Sequence, residues 1–346
     1  MTEKRNIAII GAGIAGQEAA SVLAGLGYKV TLLEKQERMG GMLNKWSKLF
    51  PDFSSSQQIL DTVQVSANKN LSVICNADIS SITKENGRFE LSDNSSLKVY
   101  ADLVLLATGY NLFDATLKEE YGYGVFENVI TSVDFEKVHK SGKKLTTLLG
   151  KEPRRVAIIH CVGSRDAKSG NTYCSKVCCI TGVKQAIEVT RMWPDCEVFN
   201  FYMDLRLYGS KYDSLYLEAQ KHHKVQFIRG RLSEISERQD KGLQLKAEDT
   251  LQGRPLRMNA DIVILLVGME ACEQNADLCR NNTLDLDENR FFKSKNIHYA
   301  RNISTQPGIF MAGSCICPMS VNETLESSRS AAFLVDKSFR SVQVEE

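Results

Sequence analysis

The chain is 346 residues long, enough for about two domains and a large core, with 43 Lys plus Arg against 42 Asp plus Glu. A net charge of +1 argues against a dedicated nucleic-acid binder, and a composition of 43% hydrophobic and 25% charged residues excludes wholesale disorder. The longest unbroken apolar stretch, Ile262 to Val267, is far short of the roughly 20 residues that span a membrane. Lys4 and Arg5 run straight into a strand where a secretory signal would lie. A soluble, cytoplasmic protein is expected.

Taken in chain order, the first thirty-four residues predict a βαβ unit. Ile7 to Ile10 is a short buried strand, Gly11 to Gly16 opens a helix through Leu23, and Tyr28 to Leu33 is a second strand closed by Glu34. Asp102 to Leu106 is a third strand, running into Ala107-Thr108-Gly109. A second βαβ signal begins at Arg155 to His160, followed by a helix from about Lys176 to Trp193 and a strand from Cys196 to Phe201. Further strands are expected at 225–228, 243–247 and 261–267, and a last one at 308–312 precedes a helix through Ala331-Ala332. Alternating strands and helices mean an α/β chain with parallel sheets.

Ten cysteines make up about 3% of the chain, too few for a disulfide-stapled secreted domain. Their placement is uneven: Cys161, Cys174, Cys178 and Cys179 fall within nineteen residues. Clustered cysteine in a cytosolic chain points to metal or redox chemistry.

Gly11-x-Gly13-x-x-Gly16 sits between a strand and a helix, the context that gives this motif meaning. Gly11 permits a tight turn, Gly13 lets the backbone approach a pyrophosphate, and Gly16 allows close helix–strand packing. The helix start supplies unpaired N–H groups and partial positive charge. Glu34 ends the second strand where a carboxylate can accept ribose hydroxyls and repel a 2′-phosphate.

Arg38-Met39-Gly40-Gly41, Ala107-Thr108-Gly109 and Gly308 to Gly313 resemble the remaining motifs of flavoproteins of the thioredoxin-reductase and glutathione-reductase type. Ser314 stands where those proteins usually carry Asp, and Ser320 with Glu323 makes a capping box for the following helix. The resemblance implies FAD rather than NAD, in an α/β fold of two Rossmann-like dinucleotide-binding domains. The implied FAD contacts are Gly11, Gly13, Ile14, Ala15, Gly16, Glu34, Lys35, Gly40, Gly41 and Met42 in the first stretch. Ile79, Ala107, Thr108, Gly109, Lys184, Gly313 and Ser314 complete them. The implied domains are 1–110 with 291–346 for FAD, and an inserted domain at 111–290.

In the inserted domain the turn after Ile159-His160 reads Cys161-Val162-Gly163-Ser164-Arg165, with one glycine where a nicotinamide dinucleotide needs three. Cys161, Cys174 and the adjacent pair Cys178-Cys179 occupy it instead. Four thiolates suffice for a [4Fe–4S] cluster, although the spacing matches neither common ferredoxin pattern. Structural zinc, a redox disulfide and simple packing are the rivals; zinc favours two short-spaced pairs, which these four are not. A cluster at a helix start would be stabilised there as an anion.

The run from Cys161-Val-Gly-Ser-Arg-Asp through Tyr173-Cys174 and Cys178-Cys179 to Lys184 resembles the flavin-bearing A subunit of heterodisulfide reductase, in the short form of heterodisulfide-reductase-like complexes of sulfur oxidisers. That resemblance implies a [4Fe–4S] cluster on Cys161, Cys174, Cys178 and Cys179, with Lys184 as a catalytic residue at the flavin. It implies partner subunits resembling heterodisulfide reductase B and C, a homodimer in isolation, and a role in sulfur oxidation. Ile316 to Ser320 keeps only the proline of the loop that usually follows Gly313. The competing expectations are a self-sufficient NAD(P)H-dependent disulfide reductase using Cys174 and Cys178, and a flavin-binding scaffold whose cysteines only pack.

Overall fold

The computed structural model describes residues 5–65, 68–280 and 284–342. They form two compact units. The first comprises residues 1–44, 57–111 and 270–346 and the second residues 45–56 and 112–269, within the described residues.

The first unit is built on a seven-stranded sheet in the order Ser294–Asn296, Ala300–Ser304, Ile309–Met311, Leu103–Leu106, Asn6–Ile10, Lys29–Leu33, Leu71–Ile74. The last five are parallel. Both faces of this sheet are covered, so its strands read as unbroken apolar runs. Ile7, Ile9, Leu32 and Leu105 pack in one core with Ala19 and Ala20 of the Ile14–Gly25 helix and Ala331, Ala332 and Val335 of the Val321–Val342 helix. Ala8, Ile10, Leu33, Val104 and Leu106 pack on the other side with Ile79, Phe89 and Leu91. Each such side chain larger than alanine contributes roughly 1.5–3 kcal/mol through burial. Ile79, Phe89 and Leu91 come from an antiparallel meander, Ile79–Glu85, Arg88–Asp93 and Lys98–Ala101, that the sequence reading did not foresee.

The second unit repeats the plan. Its five-stranded parallel sheet runs Gln226–Arg229, Glu197–Tyr202, Arg155–Val162, Ile262–Val267, Val129–Thr131. An antiparallel meander, Leu232–Glu237, Leu243–Asp249 and Arg254–Ala260, stands beside it. The Ser132–Lys140 helix opens on a full capping box between Thr131 and Asp134. The helix expected from about Lys176 begins at Cys178, because Lys176 has a left-handed backbone, φ 64°.

Two boundaries differ from those the resemblance implies. Chain 45–56 belongs to the second unit: Phe50 and Phe53 pack against its core and the Ser47 N–H donates to Glu136 Oε2 at 3.0 Å. The return to the first unit comes at Glu270 rather than 291. Fully buried Asn275 accepts from Thr108 Oγ1 at 2.8 Å, and Gln274 Nε2 donates to the Ile79 carbonyl at 2.9 Å. These polar contacts tie the 270–290 stretch to the first unit.

Candidate functional site

In the first unit the glycine turn has the geometry its residues require. Gly11 has φ +101°, and a Cβ there would lie 2.3 Å from the Ala107 carbonyl oxygen. A Cβ on Gly16 would lie 1.9 Å from Gly11 O, so both positions need glycine for the fold itself. Gly13 is different: its nearest neighbour would be Gly41 Cα at 3.9 Å, which leaves open space in front of the turn. The Gly40 N–H donates to Ala12 O at 2.8 Å, holding the 40–41 turn against it.

The Ile14–Gly25 helix starts on Gly13 with no side-chain cap and no acidic residue in its first turn. Its leading N–H groups therefore remain available to an anion. Glu34 is buried; Oε2 accepts from the Ala12 N–H at 2.7 Å and Oε1 from the Gln36 N–H at 2.9 Å. Each carboxylate oxygen keeps acceptor capacity beyond these bonds. Lys35 pairs with Asp78 at 3.0 Å, whereas the Ile79 side chain lies wholly in the core. Gly313 has φ +72°, its N–H donates to Ser327 Oγ at 3.0 Å, and Ser314 is buried beside it. The Ser320 N–H donates to Glu323 Oε2 at 2.9 Å and Ser320 Oγ accepts from the Glu323 N–H at 3.3 Å, the expected capping box.

The second unit brings three of the four clustered cysteines together. The register of the Arg155–Val162 strand slips between Ile159 and Val162. Cys161 takes φ 58° in this bulge. The extra residue turns Cys161 onto the face that carries Val156 and Ile158, toward Cys178 and Cys179 on the first turn of the Cys178–Met192 helix. The thiols of Cys161 and Cys178 hydrogen-bond, as do those of Cys178 and Cys179, and all three are buried. The Cys178 hydrogen bonds hold Cys161 down to about 7 and, with His160, Cys179 down to about 4, while Cys178 itself is pushed up. Cys174 is half-buried and its Sγ accepts from the Lys176 N–H at 3.3 Å. Arg165 lies close enough to both Cys161 and Cys174 to feel their charge.

Lys184 is 1% exposed, five residues along the same helix from Cys179. Its ammonium donates to the Lys48 carbonyl at 2.9 Å and to Glu136, and sits 3.1 Å from Glu188 Oε2. Two of the ammonium's three N–H donors are thus engaged, and the Glu188 carboxylate lies in ion-pair range without accepting a hydrogen bond.

The family described as pyridine nucleotide-disulphide oxidoreductase matches residues 5–333. The chain belongs to this family. It is 31% identical to the A subunit of the H(2)/formate:CoB-CoM heterodisulfide,ferredoxin reductase of Methanococcus maripaludis, over 94% of this chain and 63% of that protein. It is 30% identical to the iron-sulfur A subunit of the CoB–CoM heterodisulfide reductase of Methanocaldococcus jannaschii, with the same coverage. The chain thus spans less than two thirds of the length of these relatives. Thioredoxin reductase from T. acidophilum superposes with a TM-score of 0.65 at 19% identity, covering 97% of this chain and 99% of that one. The Lactococcus lactis enzyme gives 0.64 at 18%, covering 96% and 98%. At these identities the likeness speaks for the fold alone.

Membership of the pyridine nucleotide-disulphide oxidoreductases implies FAD. The open space before Gly13 and the uncapped helix start fit its pyrophosphate. The iron–sulfur expectation meets a mixed geometry. Among the described residues, no group of three or more His, Cys, Asp or Glu side chains is spaced to hold a single metal ion. Yet Arg165, whose guanidinium feels the charge of Cys161 and Cys174, keeps a buried Nη1 without an acceptor, as does Asn200 Nδ2 beside His160. Buried N–H groups left unpaired are costly, so this neighbourhood suits an anion with several acceptor atoms. The donor chemistry therefore fits a thiolate-bound iron–sulfur group better than a lone cation.

His160, hydrogen-bonded to Asn200 at 2.9 Å and to Cys179, and Asn200, fully buried, both interrupt otherwise apolar strands. A polar residue inside a buried strand is the signal that could have found them. Glu136 gave no such signal, because it sits among charged neighbours on its helix, whereas Glu188, between Ile187 and Val189 on its own helix, carried a comparable one.

Proposed function

We propose that the chain is an FAD- and [4Fe–4S]-containing electron-transfer oxidoreductase component of a heterodisulfide-reductase-like complex acting on sulfur compounds in the cytoplasm. The observation that carries this reading is the convergence of Cys161, Cys178 and Cys179 in the second unit's dinucleotide turn, with the unpaired Arg165 Nη1 on the guanidinium that feels their charge. Cys161, Cys174, Cys178 and Cys179 are the ligands in this reading. The Arg165 guanidinium and the N-terminus of the Cys178–Met192 helix offset the negative charge of the bound group.

FAD, when bound, supplies two-electron chemistry that the cluster can divide into single electrons. The chain's own residues do the rest. Gly11 and Gly16 hold the turn, Gly13 leaves the phosphates room, and the helix start meets them with N–H groups. Glu34 fixes the turn through Ala12 and keeps lone pairs for the ribose. Gly40, Gly41, Thr108 and Gly313 frame the same site. Arg165 and the start of the Cys178–Met192 helix favour the reduced, more negative state of what the thiolates hold.

Partner subunits resembling heterodisulfide reductase B and C would receive or deliver the electrons; the relatives are themselves subunits by name. Anaerobic purification followed by FAD, iron and acid-labile sulfide analysis tests the reading. FAD with iron and sulfide in equal amounts supports it. FAD without iron, together with flavin reduction by NADH or NADPH and a disulfide between two of these cysteines, would establish the NAD(P)H-dependent disulfide reductase instead.

A further inference from the structure

Two segments of the second unit cover the clustered thiols, and their charge is lopsided. Residues 203–211 touch Cys179 directly: its Sγ lies 3.6 Å from the Asp204 carbonyl and accepts a hydrogen bond from the Arg206 N–H. Residues 163–176 carry Cys174 and Arg165. Arg165 donates to Asp204 at 2.7 Å and so ties the two segments together over the sulfurs. Arg229, beside them, reaches the same carboxylate at 3.4 Å.

With the strand end at 229–231, these segments hold seven basic and two acidic side chains, and Asp52, which feels the charge of Lys211, brings the local net charge to +4 in a chain whose total is +1. The two acids within the segments are already matched: Asp204 by Arg165 and Arg229, Asp166 by Lys118 and Arg231. Lys168 and Lys211 are exposed, and Tyr208 stands between them in sequence at 68% exposure. An exposed tyrosine among cations is the composition of an interface anchor rather than of an ordinary solvated loop.

We propose that this basic surface over Cys179 and Cys174 is the docking face for a small, acidic one-electron carrier protein. The inference rests on the iron–sulfur reading above. One electron crosses between the carrier's redox centre and the thiolate-bound group; one is oxidised, the other reduced, and no bond forms or breaks. The path crosses the backbone of Asp204 and Arg206 at Cys179, a thin layer, and transfer rates fall steeply with distance. The positive field steers an acidic partner into this orientation and is screened by salt.

The test uses protein whose FAD and iron contents have been measured first. Stopped-flow reduction of the iron–sulfur absorption is followed with fully reduced flavodoxin, a strongly acidic one-electron carrier, and separately with reduced methyl viologen, too small to need a docking face. With flavodoxin, the second-order rate should fall steeply from low to physiological ionic strength. In a Lys168→Glu, Lys211→Glu variant it should fall about tenfold or more. The viologen rate should stay within about twofold of wild type in that variant, which reports an intact acceptor. A flavodoxin rate insensitive to both salt and substitution overturns the docking face while leaving the iron–sulfur reading standing. Protein without iron removes both. A variant slowed equally with both reductants would mean damage to the acceptor and would also count against the proposal.

Discussion

The ring of Phe113 lies against Gly163, so close that a Cβ on that glycine would come within 2.0 Å of it. Gly163 is the one glycine of the second unit's turn, and the phenylalanine covers the backbone that a pyrophosphate would have to approach. NADH and NADPH are therefore expected to bind with dissociation constants weaker than about 1 mM, about −4 kcal/mol. Isothermal titration and stopped-flow flavin reduction measure this. Rapid stoichiometric reduction by either nucleotide, without a partner protein, would contradict it.

Gly11 and Gly13 should behave as opposites. Gly11→Ala forces a Cβ into the Ala107 carbonyl at a left-handed φ, and should cost at least about 2–3 kcal/mol and lower the yield of folded protein. Gly13→Val has no close neighbour in the chain and should fold with an unchanged far-ultraviolet spectrum while losing FAD. Retention of one FAD per chain by folded Gly13→Val protein would show that the cofactor lies elsewhere.

How the fold could be read from the sequence follows from burial. Ile262–Val267 and Leu103–Leu106 are buried on both faces, so they appear as apolar runs bounded by polar residues. Arg88–Asp93 buries alternate residues only and Arg254–Ala260 mostly half-buries them, with charge on the other face, which hid the first meander and all of the second but its 243–247 strand. Val129–Thr131 is three residues long, too short for any period to register. At the site, the glycine turn is legible because its spacing is a backbone requirement. The bulge that swings Cys161 toward Cys178 is a register event between strands, and no residue type in Ile158-Ile159-His160-Cys161 announces it.

The buried ion cluster around Lys184 sets a stability prediction. Two carboxylates, Glu136 and Glu188, share one ammonium with almost no exposure. Removing the cation leaves uncompensated buried charge, so Lys184→Met should destabilise by about 3–5 kcal/mol in urea titration. A loss below about 1 kcal/mol would show that the cluster does not hold the helix in place.

The same cluster gives stability a pH dependence. Burial, partly offset by Lys184, pushes the Glu188 carboxyl up from 4.5 to about 7. Glu136, His139 3.8 Å away and the charge of Lys48 also face it. Between pH 4.5 and about 7 the folded chain keeps a proton that the unfolded chain has lost. The contribution of this group to stability therefore declines as pH rises through that window. Glu188→Gln should flatten the decline in Tm there, by differential scanning fluorimetry. Parallel wild-type and variant profiles would exclude Glu188 as its source.

The most direct measurement of the electron-transfer reading is iron and acid-labile sulfide per chain in anaerobically reconstituted cysteine variants. Wild type and Cys196→Ser should each hold about four irons with FAD bound, Cys196 being buried beside its strand and away from the turn. The Cys178→Ser, Cys179→Ser double variant should lose most of the iron and the broad visible absorption while retaining FAD. A full complement of iron in that double variant, or none in the wild type, would contradict the assignment of the thiols.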